Sequence, residues 1–565
     1  MEKRALVAVA LSILVLLAFR YFEERRLAQA GRNRPAPQKT TSTLPNPIVP
    51  PKVAAEPEPE KPVARIPSNP SDTKTGARVT VVDSDLYRAV LDNRGGVITS
   101  WVLKRYKSGK GEAFEMVAAG HGVDTRPYPG SLILDDPALN WRADGEYYEV
   151  EVQGHGGEDG AYVPPLTVVL RLQHGELAIE KRYQFENDNY LVNFSTTIQI
   201  AGKPAVARIL LGEDIGPEHE HLLNPSAQLG SVSMRGDKVH REGPPKKENE
   251  VARIDGPINW VGLDMHYFAV IAIPSRPFTA FELQKKPVKT VGLDGKEVSR
   301  DLMPLTIPIM GSSEFRLFLG PKDQEVLEAV KGVDLTKVID FGMFSILVRP
   351  LLFSLKWINR YVHNYGVSII LLTLLLTLLL FPFRLKQMLS MKKMAVVQPR
   401  IKEIQEKYKR YKKTDPRKAE MNQEIMAVYK EHNVNPLGGC LPLVLQMPLL
   451  FAFYQLLASS IELRQAPFIG WIWDLSTKDP YYVLPIVMGI TMLVSQKITP
   501  MAPGADPAQA KMMMMMPAVF TLMFLNVSSG LNLYFLCSNI FQIGFQKLTE
   551  RWMRDDGKRA GKSKQ

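Results

Sequence analysis

The residues of this chain that could do chemistry are uncharged and polar, and they sit in apolar surroundings. Asn532, Asn539, Gln542 and Gln546 share the last apolar stretch. Their spacing puts all four within about 80° of one another on a helix, a single polar face. Gln446, Gln455, Thr491, Ser495 and Gln496 place further amides and hydroxyls in neighbouring apolar stretches. Such groups do not break bonds unaided. In a bilayer they hydrogen-bond, either helix to helix or to a polar guest that would otherwise lose its water. Interhelical bonding accounts for each residue singly. A hydrated groove open to the cytoplasm accounts for their common face.

Bond-making motifs are missing: there is no HExxH, GxSxG, P-loop or CxxC. No catalytic residue, resident metal or cofactor is therefore expected, and the chain reads as a non-enzyme. His219-Glu220-His221 reads as surface residues of a polar loop rather than a metal site. The last five apolar stretches carry no Asp or Glu, which argues against a proton-coupled pump.

The elements that must position these groups are membrane spans. Val367 to Phe383 is seventeen residues without a charge, near the lower limit for a helix crossing a hydrocarbon core of ~30 Å. Arg384, Lys386, Lys392 and Lys393 follow at once, which marks the cytoplasmic side. Six spans are expected: an uncleaved anchor in 1–22, then 367–383, 436–459, 481–496, 512–526 and 531–546. Five of them form a core bundle. The segment 384–435 carries fourteen Lys/Arg and six Asp/Glu, a charge of +8. The loop 497–511 is +1 and the tail 547–565 is +4, whereas Ile461 to Pro480 is −1. Basic charge thus falls on alternate loops. Both termini are then cytoplasmic, and the residues between the first two spans lie outside, in a bacterial periplasm.

Those residues divide in three. The segment 23–78 is a linker, with eleven prolines and no aromatic residue from Gly31 onward, a composition that cannot bury a core. The segment 79–335 shows many short alternating or β-branched runs separated by turn residues such as Asp92-Asn-Arg-Gly-Gly96, which predicts an antiparallel β-sandwich. The segment 340–364 repeats Leu352, Leu355, Ile358 and Tyr361 at helical spacing among Arg349, Lys356 and Arg360. It is predicted to be an amphipathic helix in the membrane interface.

The basic segment 384–435 reads as a cytoplasmic helical hairpin. Lys392, Lys393, Lys407, Lys409, Arg410, Lys412 and Lys413 are its candidates for docking on ribosomal RNA or anionic lipid, with a solvated helix face as the plainer account. Met388, Met391 and Met394, and the run Met512 to Met516, supply adaptable apolar surface for varied partners.

Several long motifs carry a resemblance. Asn435-Pro-Leu-Gly-Gly-Cys-Leu-Pro442 with Gln446-Met-Pro448, Glu462-Leu-Arg-Gln-Ala-Pro-Phe468, Asp479-Pro-Tyr-Tyr-Val-Leu-Pro485 and Ser529-Gly-Leu-Asn-Leu-Tyr534 resemble the YidC membrane protein insertase family of Gram-negative bacteria. With anchor, linker and β domain the resemblance covers nearly the whole chain. It implies an α-helical polytopic membrane protein with a periplasmic all-β supersandwich domain. It also implies an insertase and chaperone for nascent membrane proteins, fed by the ribosome or the Sec translocon. DNA is not among the implied partners, and a monomer satisfies the reading. A small-solute transporter is the alternative, but the internal repeats and broken helices expected of one are not seen.

The resemblance places a groove threonine at Thr373 and a groove aromatic at Phe535. Where the family usually carries an arginine inside the groove, this chain has Thr377. Arg384, seven residues on and on the same face, is the expected substitute. The expected groove lining is therefore Thr373, Thr377, Arg384, Gln446, Gln496, Asn532, Phe535, Asn539 and Gln542.

Overall fold

The computed structural model describes residues 76–562, apart from 110, 118–127, 158–159, 218–228, 249, 292–296, 412–414, 433–440 and 499–506. The anchor, nearly all of the linker, the His219-Glu220-His221 run, Lys412 and Lys413 lie outside the described residues. The chain forms two compact units, which meet in sequence at Pro321 and Lys322.

The first unit is β-sandwich-like in its described residues. Strands Glu149–Gly156, Tyr162–His174, Leu177–Phe185, Leu191–Ile200, Ser312–Pro321, Phe268–Pro274, Val251–Asp264, Gly230–Arg235 and Lys238–Glu242 each pair antiparallel with the next. The long strand Val251–Asp264 also pairs with Phe278–Gln284, and through it with Leu305–Met310 and Val206–Gly212. The core between is aromatic, with Trp101, Tyr87, Phe185, Trp260 and Phe318 fully buried. The Tyr87 and Trp101 rings stack at 3.9 Å. The Asp92–Gly96 run makes the expected turn, with Gly95 and Gly96 both at positive φ, which glycine adopts at no steric cost.

One inward position breaks the pattern. Along Leu177–Phe185 the period of two turns Leu177, Ile179, Lys181, Tyr183 and Phe185 into the core. Lys181 is wholly buried. Its ammonium donates to the carbonyls of Gly95 at 2.6 Å and Gly130 at 2.8 Å, and lies 5.4 Å from the Tyr148 ring. Burial pulls its pKa down to about 8, against the opposing pull of Asp144. The folded pKa is thus below the unfolded one, so the unfolded chain binds more protons between the two values, and stability rises as pH increases through that window. Lys181→Ala orphans two buried carbonyls and is expected to destabilise this unit by about 2 kcal/mol. Amide exchange of strand Leu177–Phe185 in the full chain measures both effects.

The second unit is helical. Among the described residues of both units, the helices are α1 (Pro137–Gly145), α2 (Gln324–Glu328), α3 (Ser345–Val362), α4 (Tyr365–Lys407), α5 (Arg417–Glu431), α6 (Leu441–Ser459), α7 (Val483–Ile498), α8 (Pro507–Phe524) and α9 (Ser529–Lys562). All but α1 belong to this unit. The last strand ends at Pro321, and Asp323 then caps α2, accepting from the N–H groups of Glu325 and Val326.

Two helices run on past the expected ends of their spans. The span 367–383 and the first arm of the hairpin 384–435 are one helix, α4, of 43 residues. Pro382 and Pro399 each remove a rung without ending it. The span 531–546 and the tail 547–565 likewise share α9 through Lys562. Pro382 in the first and Gly544 in the second lie within three residues of the change in polarity, and neither ends its helix. Among the described residues, one stretch is long and apolar enough to cross a membrane, Tyr365–Lys386. Met447–Ser459, Val483–Ile498 and Met514–Phe524 are shorter apolar helices.

Candidate functional site

Helix α4 is the wall from which the site is built. Asn364 caps it, its side chain accepting from the Val367 N–H at 3.1 Å. The Asn364 amide donates to the Phe468 carbonyl at 3.0 Å. Gly366 lets the Phe468 ring lie on the first turn, since a Cβ there would sit 2.0 Å from it. Helix α4 packs against α3 on one side and α9 on the other; α3 also packs on α6, and α9 on α7.

The two ends of this bundle differ in chemistry. At one end the loop between α6 and α7 folds over the helices. The Leu475 carbonyl accepts from the Gly530 N–H at 2.9 Å, and the Thr477 carbonyl from the Ser529 N–H. Asp479 is 1 % exposed. It accepts from Trp471 Nε1 at 3.0 Å, the Tyr481 N–H at 3.0 Å and the Leu484 N–H at 2.7 Å. Beneath the loop, Ile369, Leu372, Phe453, Leu456, Leu475 and Tyr534 are buried in one apolar cluster. This end is sealed.

Toward the other end the α4–α9 seam turns polar. Arg384 Nη1 donates to the Gln542 side-chain oxygen at 3.4 Å, next to the Phe381–Phe545 ring contact at 5.3 Å. Asn539 lies one turn nearer the seal, and its buried amide nitrogen makes no hydrogen bond. Gln546 reaches α7, donating to the Ile498 carbonyl at 3.1 Å. Gln496 is half-buried on α7, while the Gln446 side chain lies outside the described residues.

Three of the expected lining residues hold local hydrogen bonds of their own. Thr373 and Thr377 are buried. Their hydroxyls donate to the carbonyls of Ile369 at 2.6 Å and Thr373 at 2.7 Å, four residues back on their own helix. That carbonyl is the nearest acceptor for a threonine hydroxyl on a helix. Asn532 is fully buried at the sealed end, its amide donating to the carbonyls of Phe524 and Val527. It closes the α8–α9 turn. The polar face read along α9 is thus split in depth, with Asn532 structural and Asn539 and Gln542 in the seam. Phe535 packs edge-on against Phe524 at 4.8 Å.

Beyond the seam, α4 and α5 pair through Met394, Val397, Ile401, Ile425, Val428 and Tyr429. Lys393, Lys409 and Arg410 stay exposed, whereas Lys407 pairs with Glu424 at 3.0 Å. The Lys392 side chain lies outside the described residues. Asp415 accepts from the Arg417 N–H at 3.0 Å, with Pro416 just ahead of the helix rather than inside it.

This arrangement has relatives. A family model of the 60Kd inner membrane protein matches residues 357–556, and one of the YidC periplasmic domain matches residues 79–354. "Membrane protein insertase YidC" of Syntrophus aciditrophicus is 35% identical over 567 residues, covering 97% of this chain and 99% of that protein. Its namesake from Citrifermentans bemidjiense is 33% identical over 574 residues, covering 98% and 100%. The chain belongs to the YidC insertase family. A solved YidC insertase structure with its first transmembrane domain resolved aligns at 16% identity and TM-score 0.34, covering 83% of this chain and 94% of that one. As a YidC family member the chain is an inner-membrane protein with a periplasmic β domain and a C-terminal helical region. The relatives are named insertases, so the small-solute transporter alternative has no support, nor has an enzymatic reading.

Proposed function

We propose that this chain inserts nascent membrane proteins through the α4–α9 seam, which is closed at the loop end and polar toward the basic end. That asymmetry carries the reading. A guest segment entering from the basic end meets Arg384, Gln542 and Asn539, whose hydrogen bonds offset its loss of water. It cannot pass the apolar seal, so its remaining route is sideways into lipid. Leu371, Leu375, Leu378, Leu379 and Phe383 form an exposed apolar stripe on α4, as a lipid-facing wall requires.

In this reading the anchor, α4, α6, α7, α8 and α9 are the six spans, the last five form the core bundle, and both termini are cytoplasmic. The loop between α6 and α7 is then periplasmic, and α3 lies in the outer interface. Helices α4 and α9, about 65 and 50 Å long at 1.5 Å per residue, outreach a core of ~30 Å and carry basic surface into the cytoplasm. Lys393, Lys409 and Arg410, with Lys392, Lys407, Lys412 and Lys413, form the docking surface for the ribosome and anionic lipid headgroups. Handover from the Sec translocon is a second source of guests.

Photo-crosslinking during translation tests the reading. A probe at Gln542 or Phe535 is expected to label a short single-span nascent chain, and a probe at Trp473, beyond the seal, is not. Equal labelling at all three positions, or none, would overturn it.

A further inference from the structure

One charged cluster lies outside the seam. Lys356 is on α3, at the border between its buried face (Val348, Leu352, Leu355) and its exposed one (Ile346, Phe353, Trp357). Its ammonium lies 3.1 Å from Glu462 Oε1, 3.1 Å from Glu325 Oε1 and 3.7 Å from Asp323 Oδ1. The three carboxylates come from different places. Glu462 is in the turn that follows α6. Asp323 and Glu325 cap and open α2, beginning two residues after the last strand ends at Pro321. Tyr365, at the start of α4, also faces the group. One cation thus joins the exit from the sheet, the amphipathic helix and the sealed end of the bundle.

The electrostatics show which partner is dominant. Glu462's side chain is 6% exposed and that of Lys356 17%. Burial works against the Lys356 charge, but Glu462 and Asp323 outweigh it and hold the ammonium well above its ordinary range. Burial raises the Glu462 carboxyl, and Lys356 only partly offsets this. The two upward shifts differ in cause: burial lifts the Glu462 carboxyl, whereas the neighbouring carboxylates lift the Lys356 ammonium. The cation is held firmly, and the cluster is over-supplied with negative charge.

We propose that Lys356 is a positioning residue for insertion: it pins α3 to the turn after α6 and to the segment leaving the sheet, and so keeps the outer end of the bundle closed. This rests on the insertase reading above. The apolar side of α3 supplies area of contact, and the Phe344 and Phe451 rings stack at 5.6 Å across α3's approach to α6. Apolar contact alone does not fix register. An ammonium reached by three carboxylates from two other elements does. Without it Glu462 and Asp323, the two shielded carboxylates, are left without their cation, and α3 lifts from α6.

The test uses the full chain in liposomes, with cell-free synthesis of a single-span protein as substrate. Phe344→Cys with Phe451→Cys, in a Cys440→Ser and Cys537→Ser background, reports α3 docking by a short bifunctional thiol reagent. Lys356→Met is expected to lower insertion about tenfold and to lose the cross-link, while Lys356→Arg keeps both. Adding Glu462→Gln to Lys356→Met removes the most buried carboxylate and is expected to recover most of each signal. Mild acid on the outer face should do the same for Lys356→Met by protonating the orphaned carboxylates. In the parent it should weaken the pair instead, so the two pH profiles cross.

Parent-like insertion by Lys356→Met would overturn the proposal, as would a defect that neither Glu462→Gln nor acid relieves. If Lys356→Met does not accumulate, accumulation restored by Glu462→Gln supports the proposal and continued absence overturns it. Failure of the parent chain itself to insert counts against the insertase reading, a distinct result.

Discussion

Arg384→Ala is expected to slow insertion of a single-span substrate with a polar leading tail by roughly ten- to a hundredfold. Hydrogen bonds to a charged group are worth about 1.5–3 kcal/mol, and the loss falls on the guest's dehydrated state, which is the barrier. Thr373→Val and Thr377→Val are expected to stay within about twofold of the parent, because their hydroxyls already bond their own helix and offer the guest little. Initial rates in liposomes, compared for the three variants, decide the point. If Thr373→Val costs as much as Arg384→Ala, the threonines meet the guest as well; a parent-like rate for Arg384→Ala would show that Arg384 is not the groove's cation.

The second large effect is expected at the seal. Asp479→Ala removes one carboxylate and orphans three donors, the Trp471 indole and the N–H groups of Tyr481 and Leu484. At about 1 kcal/mol or more for each unsatisfied buried donor, the loop loses roughly 3 kcal/mol. That is a large fraction of ordinary stability. The loop Ile461–Pro480 should then become open to protease from the outer face while the helices persist. Asp479→Asn keeps one acceptor oxygen and should lose less than half as much. A protease pattern in Asp479→Ala identical to the parent's would show that the apolar cluster beneath, rather than this carboxylate, holds the seal.

The architecture was legible where local pattern and global packing agree. Alternating runs such as Leu166–Leu172 became strands, and the Asp92–Gly96 turn formed because only glycines take its two left-handed positions cheaply. Apolar runs became helices. The local bonding of the polar residues is not legible from periodicity. Thr373 and Thr377 share a face, but periodicity does not reveal that a hydroxyl will bond its own helix. Asn532 shares a face with Gln542, yet depth along the axis separates a turn cap from a seam residue. Asp479 is legible locally, since Asp-Pro ahead of an apolar run is a helix-start signal in its own right. Lys356 and Lys181 could not have been found from pattern, since each owes its setting to carbonyls or carboxylates far away in the chain.

The continuity of α4 has a mechanical consequence. The helix is gripped near one end, where Phe468 rests on Gly366, and is free of the bundle at the other, where it pairs with α5. It is therefore a lever with its fulcrum at the short arm. Over about 65 Å, a rotation of one degree about that grip sweeps the Lys407 end through about 1 Å. Compliance is concentrated at Pro382 and Pro399, the two missing rungs. Load applied to the basic hairpin bends the shaft at those two places first, and Pro382 is two residues from Arg384. Stiffening it with Pro382→Ala would change how far the far end's motion is felt beside the seam, without touching a residue that contacts the guest.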